Sequence, residues 1–428
     1  MINAIPQNWQ KVKLGQYAGV LGGFAFSSKL FNTRKVGCPV IKIQNLLENG
    51  YVDTNRIEFV DLEKLNKDLT KFELKNGDFL VAMTGATSGK VSILKDKSKT
   101  YYLNQRVGKF YIKDKNKLYK QFLYYSVISP YNQYLLYRLA DGSAQGNMSS
   151  SQIEEILEIY IPNSLDEQNR IISALSSFDD KIEVNNKIAK TLEQMAQNIF
   201  KEWFVKFRFP GHEKVKFVDS ELGKIPEGWE IKNLSKILQL KHGFAFKSEE
   251  FIQERTKFIV LRMGNFQEKG GLQFSDNTVY LKNIDNHLKY ILDKEDMVMI
   301  FSDITREGRL IGNVGIIPDD ENTYILNQRV VKIEHEKKHK YFLLSLFNSK
   351  AFHKHCLSRA DSATVLNLKN EHIYDYQLAL SGNEVLEVFN MIVTPFYKKI
   401  ENIKKESGEL AAMRDLLLPK LMRGEIRV

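Results

Sequence analysis

Hydrophobic positions along this chain follow two alternating regimes. Residues 1 to about 160 carry short apolar runs, such as Pro39-Val40-Ile41-Lys42-Ile43 and Phe79-Leu80-Val81-Ala82-Met83, separated by Gly and Asn turns. That is the pattern of strands in a mixed α/β globule. From Asp166 the period changes: Ile171, Leu175, Phe178, Ile182, Asn185, Ala189, Leu192, Ala196, Ile199 and Trp203 are spaced alternately four and three apart. This heptad-like stripe predicts a long helix, roughly 60 Å from Asp166 to Phe204 if unbroken, with Pro210-Gly211 ending it. Residues 211 to about 380 return to the mixed pattern. A second stripe then follows Glu384, built from Phe389, Ile392, Phe396, Ile403, Leu410, Leu417 and Leu421. Pro395 lies inside it and is expected to kink the helix or start it afresh, because proline removes a backbone donor and clashes with the preceding turn.

The order globule, helix, globule, helix reflects a duplication. Ile5-Pro6-x-x-Trp9 returns as Ile225-Pro226-x-x-Trp229, and Gly23-Phe24-Ala25-Phe26 as Gly243-Phe244-Ala245-Phe246. Leu103-Asn104-Gln105-Arg106-Val107 recurs as Leu326-Asn327-Gln328-Arg329-Val330, and Lys181-Ile182-Glu183 as Lys399-Ile400-Glu401. A repeat this long predicts two related domains, not a short-period solenoid. A twofold axis across the helices would set them antiparallel, with their apolar stripes burying each other. Each helix folding back onto its own globule is the alternative, and periodicity leaves both open.

Composition narrows the partner class. The 62 Lys+Arg exceed the 52 Asp+Glu, for a net charge of +10, which favours a polyanionic partner over an acidic small molecule. Only Cys38 and Cys356 occur, in unrelated contexts, so a secreted disulfide framework is not expected and a reducing cytoplasm fits. No export leader and no membrane span is expected.

Polar loops after strands are the candidate chemistry. Gly85-Ala86-Thr87-Ser88-Gly89-Lys90-Val91 invites comparison with a phosphate-binding loop, but it is one residue short between the glycines and ends in Val91 where a hydroxyl is required. It reads better as a loop whose Thr84, Thr87, Ser88 and Lys90 reach phosphates or base edges, or as a plain solvated turn. Ser302, Thr305, Arg306 and Arg309 occupy the corresponding stretch of the second half with different polar residues, as two readers of different sequences would. A second loop pair follows Arg138 and Arg359: Ser143, Gln145 and Asn147 in the first copy, Ser362 and Thr364 in the second. Asn and Gln suit bidentate reading of adenine and Arg of guanine. The repeated Asn-Gln-Arg is identical in both halves, which argues for a shared structural or backbone-positioning task. No metal site is expected, because His353-Lys354-His355-Cys356 lacks a second ligand cluster. No catalytic motif is present, neither a Gly-x-Ser-x-Gly elbow nor an Asp/Asn-Pro-Pro-aromatic motif.

The run Lys190-Thr191-Leu192-Glu193-Gln194-Met195-Ala196-Gln197-Asn198-Ile199-Phe200-Lys201-Glu202-Trp203-Phe204, followed by Pro210-Gly211, resembles the central conserved region of type I restriction-modification specificity subunits. Met413-Arg414-Asp415-Leu416-Leu417-Leu418-Pro419-Lys420-Leu421-Met422-Arg423-Gly424-Glu425-Ile426 resembles their distal conserved region. Glu167-Gln168 and the two Ile-Pro-x-x-Trp openings also match, so the resemblance covers essentially the whole chain. It implies an α+β architecture in which two target-recognition domains, 1–163 and 210–382, are separated by antiparallel coiled-coil helices, 164–209 and 383–428, about a pseudo-twofold axis. It implies double-stranded DNA as ligand, one half of a split site per domain, and docking of two methyltransferase subunits and of motor-nuclease restriction subunits. S-adenosylmethionine, ATP and Mg are implied for those partners, with no cofactor and no catalysis on this chain. Leu192, Ile199, Trp203, Phe204, Leu410, Leu417 and Leu421 are then candidates for the helix pair and partner docking. Gly382-Asn383-Glu384 departs from the family's usual opening of the second helix. Two competing functions remain: a structural coiled-coil protein without DNA specificity, and an NTPase using residues 85–90.

Overall fold

The computed structural model describes residues 6–428 except 33, 48, 66, 142–146, 269, 275–277, 306, 363 and 364, and except the side chains of 63, 64 and 362. It divides into two compact units, Met1–Val184 with Ser407–Val428, and Asn185–Glu406. The duplication read in the sequence is a duplication of topology. In the first unit a four-stranded antiparallel sheet runs in the order Ala18–Gly22, Val107–Ile112, Phe79–Ala82, Val91–Ile93. The second unit repeats it as Leu238–His242, Val330–His335, Met297–Ile300, Val314–Ile316. Each unit adds a second sheet, of five strands in the first and four in the second, with one parallel pair, Cys38–Ile41 with Tyr101–Leu103 and Phe258–Leu261 with Thr323–Leu326.

The central strand of each unit explains why its sequence is a continuous apolar run. Side chains alternate between the faces of a strand. Phe79 and Val81 enter one core cluster while Leu80 and Ala82 enter another, so both faces are covered. Met297 and Met299 are divided from Val298 and Ile300 in the same way. Each fully buried large apolar side chain of these strands contributes about 1.5–3 kcal/mol to its unit.

The first predicted helix spans Leu165–Phe200 and continues as one π-helical turn, Lys201–Val205. It ends before Pro210-Gly211, which corrects the expected terminator. Phe207 stops it by adopting φ 58°, a left-handed conformation unusual for a bulky residue. Its ring packs edge-on against Trp229 at 5.3 Å, contact that offsets the backbone cost. The second helix does not start afresh at Pro395, but runs Asn383–Leu421. The hydrogen bond lost at Pro395 falls on the carbonyl of Met391, a residue 75% exposed, where water can serve that carbonyl.

Within each unit the helices pair antiparallel and also pack on the globule, so both packing alternatives are realised. In the second unit Asn185 Nδ2 donates to Glu406 Oε2 at 2.9 Å, Ala189 packs with Ile400 and Ile403, and Phe200 lies 6.5 Å from Phe389. Phe200 and Phe204 also meet Phe342 of the globule, at 5.6 and 4.9 Å. In the first unit Ile171, Ile172 and Leu175 share a core with Leu418, Leu421, Met422 and globule residues such as Phe122. There Arg414 Nη1 meets Asp179 Oδ1 at 2.7 Å, and the Tyr125 hydroxyl donates to Asp179 Oδ2 at 2.8 Å. Burial opposes the Arg414 charge, but the bonds to Asp179 and Asp415 outweigh it and raise its pKa. No described helix is long and apolar enough to cross a membrane.

Candidate nucleic-acid interface

Three motif pairs that are far apart in sequence meet at one residue in each unit. In the first unit that residue is Met83, just beyond the central strand. Its N–H donates to the Arg106 carbonyl at 3.0 Å, and its carbonyl accepts from Met148 N–H at 2.8 Å. The loop 84–90, the Asn104-Gln105-Arg106 turn and the segment after the helix Pro130–Asp141 therefore share one edge. Phe301 does the same in the second unit, donating to the Arg329 carbonyl at 2.9 Å and accepting from Leu368 N–H at 2.8 Å. Neither hub was singled out by the sequence, because its only signature is position: the first residue after a doubly buried strand.

The Asn-Gln-Arg turns are built identically. Asn104 Oδ1 accepts from Arg106 N–H at 3.5 Å, and Asn327 Oδ1 from Arg329 N–H at 3.3 Å. A Cβ on Gly23 would stand 2.2 Å from the Asn104 carbonyl oxygen, and one on Gly243 2.3 Å from that of Asn327. The repeated glycines are thus explained by close backbone approach. Gln105, Arg106, Gln328 and Arg329 are all exposed. Both arginines thus stand exposed beside the loops.

The first-unit loop is short. Gly89 N–H returns to the Ala82 carbonyl at 2.9 Å, so only residues 83–88 lie between. Gly89 takes φ 89°, and the carbonyl carbon of Leu136 and the Tyr137 ring lie 3.2 and 3.3 Å from where its Cβ would stand, which fastens the loop to that helix. Ser88 is buried, Thr87 and Lys90 are half-buried, and the half-buried Thr84 keeps a buried hydroxyl without a hydrogen-bond partner among the described residues. The loop leads into the strand Val91–Ile93 and not into a helix, so it lacks the helix N-terminus on which a nucleotide phosphate loop relies. Arg138 is exposed and stacks over Tyr134 at 5.8 Å, and Asn147 is exposed; Ser143 and Gln145 lie outside the described residues.

The second-unit loop is longer: Gly312 N–H returns to the Ile300 carbonyl, with residues 301–311 between. Ser302 and Asp303 form a strand that pairs with Leu366–Asn367, which pairs in turn with Asp361–Ser362. Ser302 is buried, its hydroxyl donating to Asn367 Oδ1 at 2.7 Å. Thr305 Oγ1 accepts from Arg309 N–H at 3.3 Å, and Arg309 pairs with Glu268 at 3.4 Å and Glu307 at 3.5 Å. Arg359 is exposed beside His355, whose ring nitrogen is 3.4 Å away. Arg306, Thr364 and the side chain of Ser362 lie outside the described residues. The metal-capable cluster beneath is used in packing: His355 Nε2 meets the His372 carbonyl at 2.7 Å, and burial pushes the Cys356 thiol up to about 12.

Of the helix candidates, Trp203, Phe204 and Leu421 are buried in their own units, while Leu192, Ile199, Leu410 and Leu417 are half-buried. Exposed apolar side chains on the long helices are others, Ile188, Met195, Met391, Met413 and Leu416 among them. The sequence stripe marks the packed face, so it points away from them.

Residues 6–194 and 226–410 match the family described as the type I restriction modification DNA specificity domain. The type I restriction enzyme MjaIX specificity subunit of Methanocaldococcus jannaschii is 28% identical over 427 residues, spanning 100% of this chain and 95% of that protein. The MjaVIII specificity subunit of the same organism is 24% identical over 432 residues, spanning 99% and 94%. The crystal structure of the type I restriction-modification S subunit from M. genitalium aligns over 99% of this chain and 97% of its own, with a TM-score of 0.54 at 19% identity, and so has the same fold. On matches that span both copies of the repeat, this chain belongs to the type I restriction-modification specificity-subunit family.

Proposed function

We propose that this chain reads a split DNA site for a type I restriction-modification complex, one half-site for each unit, and is itself non-catalytic. The observation that carries this is the convergence, in both units, of two polar loops and an exposed arginine on one residue at the end of the central strand. A constant scaffold with a constant cation and variable loop tips has the two components such a reader needs. Arg106 and Arg329 supply sequence-independent phosphate contact, and the differing loops supply base discrimination in the major groove. Two methyltransferase subunits, which carry S-adenosylmethionine and modify adenine, and ATP- and Mg-dependent restriction subunits are the partners this role requires. The exposed apolar residues of the long helices suit their docking better than Trp203, Phe204 or Leu421. A cytoplasmic location follows from the same role.

The test is a map of methylated adenines in cells carrying the chain with its methyltransferase, against cells lacking only the chain. A split motif that disappears on deletion supports the role. An unchanged map, with both proteins expressed, moves the assignment to a structural helix-pairing protein.

A further inference from the structure

The second unit's loop is held in a way that the first unit's is not. Asp303 is fully buried, and its carboxylate grips the loop at both ends: Oδ1 accepts from Thr305 N–H at 2.7 Å and Oδ2 from Leu310 N–H at 2.5 Å. Gly308 takes φ 59°, and methyl groups of Leu357 and Leu366 lie 2.5 and 2.8 Å from where its Cβ would stand, so the far side of the loop rests on the neighbouring segment. Strand pairing at Ser302–Asp303 and the Arg309 ion pairs complete the enclosure. Ile304, between these anchors, remains 60% exposed.

We propose that Asp303 is a positioning residue for DNA reading by the second unit, holding the backbone at Thr305 and Leu310 so that Ile304 is presented to the bases. A lone exposed isoleucine means nothing by itself. Its place between Asp303 and Thr305, in a turn closed by the buried carboxylate, is what gives it a task. Ordering before binding removes that cost from association, and a loop that cannot adjust rejects wrong base edges more sharply. The chemistry that an exposed apolar side chain matches in the major groove is the thymine methyl group. The first unit has no such device: its six-residue turn contains no carboxylate, and the Thr84 hydroxyl lacks a partner among the described residues.

The inference rests on the DNA-reading role and is tested in the assembled complex by mapping methylation for the wild type, Asp303→Asn and Ile304→Ala. Asparagine offers a single acceptor oxygen and turns an N–H toward a backbone N–H, so one anchor is lost. The expected result is that one half-site relaxes, with methylation of single-mismatch sites rising roughly tenfold relative to the cognate site, while the other half-site and the gap stay as they were. Ile304→Ala, at an exposed position that does not support the core, relaxes the same half-site. Binding of DNA with uracil in place of thymine there weakens for the wild type and not for Ile304→Ala. If Asp303→Asn only lowers methylation uniformly, or fails to accumulate, and Ile304→Ala leaves both half-sites intact, the inference is overturned. A wild-type map without a split motif defeats the DNA-reading role itself, which distinguishes the two failures.

Discussion

The loop of residues 83–88 and the loop of residues 301–311 leave the same strand of the same sheet and meet the same kind of hub, yet they are ordered by different means. The shorter one is fixed by backbone turns and by Gly89 resting on the Leu136–Tyr137 backbone and ring. The longer one adds a strand pair, a buried carboxylate and an ion-pair clamp. A tight turn has few conformations to lose, so it needs no internal polar anchor; five more residues have more, and fixing each costs about 1–2 kcal/mol. Diversity at the tips is therefore accompanied by diversity in how the tips are stiffened, while the strand order of the central sheet below Met83 and Phe301 is held constant.

The largest effects should test the constant part. Gly23→Ala and Gly243→Ala each place a methyl group against a carbonyl that cannot retreat, and each should cost about 3 kcal/mol in its own unit. Hydrogen exchange measured separately over the two units reads this, and strongly unequal penalties would break the claim of a shared scaffold. The helix pairs offer a sharper contrast. Arg414→Ala leaves the largely buried Asp179 with the Tyr125 hydroxyl but without its cation and should cost about 2–3 kcal/mol, whereas Asn185→Ala removes the bond to Glu406 between neutral and charged partners and should cost about 1 kcal/mol. Urea titrations of the two variants compare them.

Acidity should separate the units next. All eight histidines lie between residues 212 and 372, in the second unit. Burial holds His335, His339 and His355 below the usual value of 6.5, so the folded state binds fewer protons than the unfolded chain below that pH. Their stability contribution is intact above about pH 6.5 and is lost as pH falls toward their folded values. Glu401, raised by burial, works in the opposite direction at the acid end. Between pH 7.5 and 5.5 the second unit should lose exchange protection and the first should change little; equal loss in both would contradict this. The smallest effects concern phosphate. Arg106→Ala and Arg329→Ala should each reduce the salt dependence of DNA binding by about one in slope and leave the recognised sequence unchanged. A changed sequence would move these arginines from positioning to reading.

The sequence displays what periodicity and repetition encode. The stripe from Ile171 to Trp203 located the first long helix within a few residues, and the paired motifs marked the loops that converge. Three features were not legible. Pro395 breaks a helix by local rules, but the packing of Phe389, Ile392 and Ile400 on either side of it holds the helix together. Phe207, and not Pro210-Gly211, ends the first helix because tertiary contact with Trp229 favours a conformation that local propensity opposes. Asp303 resembled any loop aspartate, since its burial depends on Leu366–Asn367, more than sixty residues away.

The central claim, that each unit reads its own half of a split site, is tested most directly by exchanging residues 9–162 for those of another specificity subunit and mapping methylated adenines. The account predicts that one half-site takes on the donor's sequence while the other half-site is retained. Both half-sites unchanged, or both altered together, would contradict it.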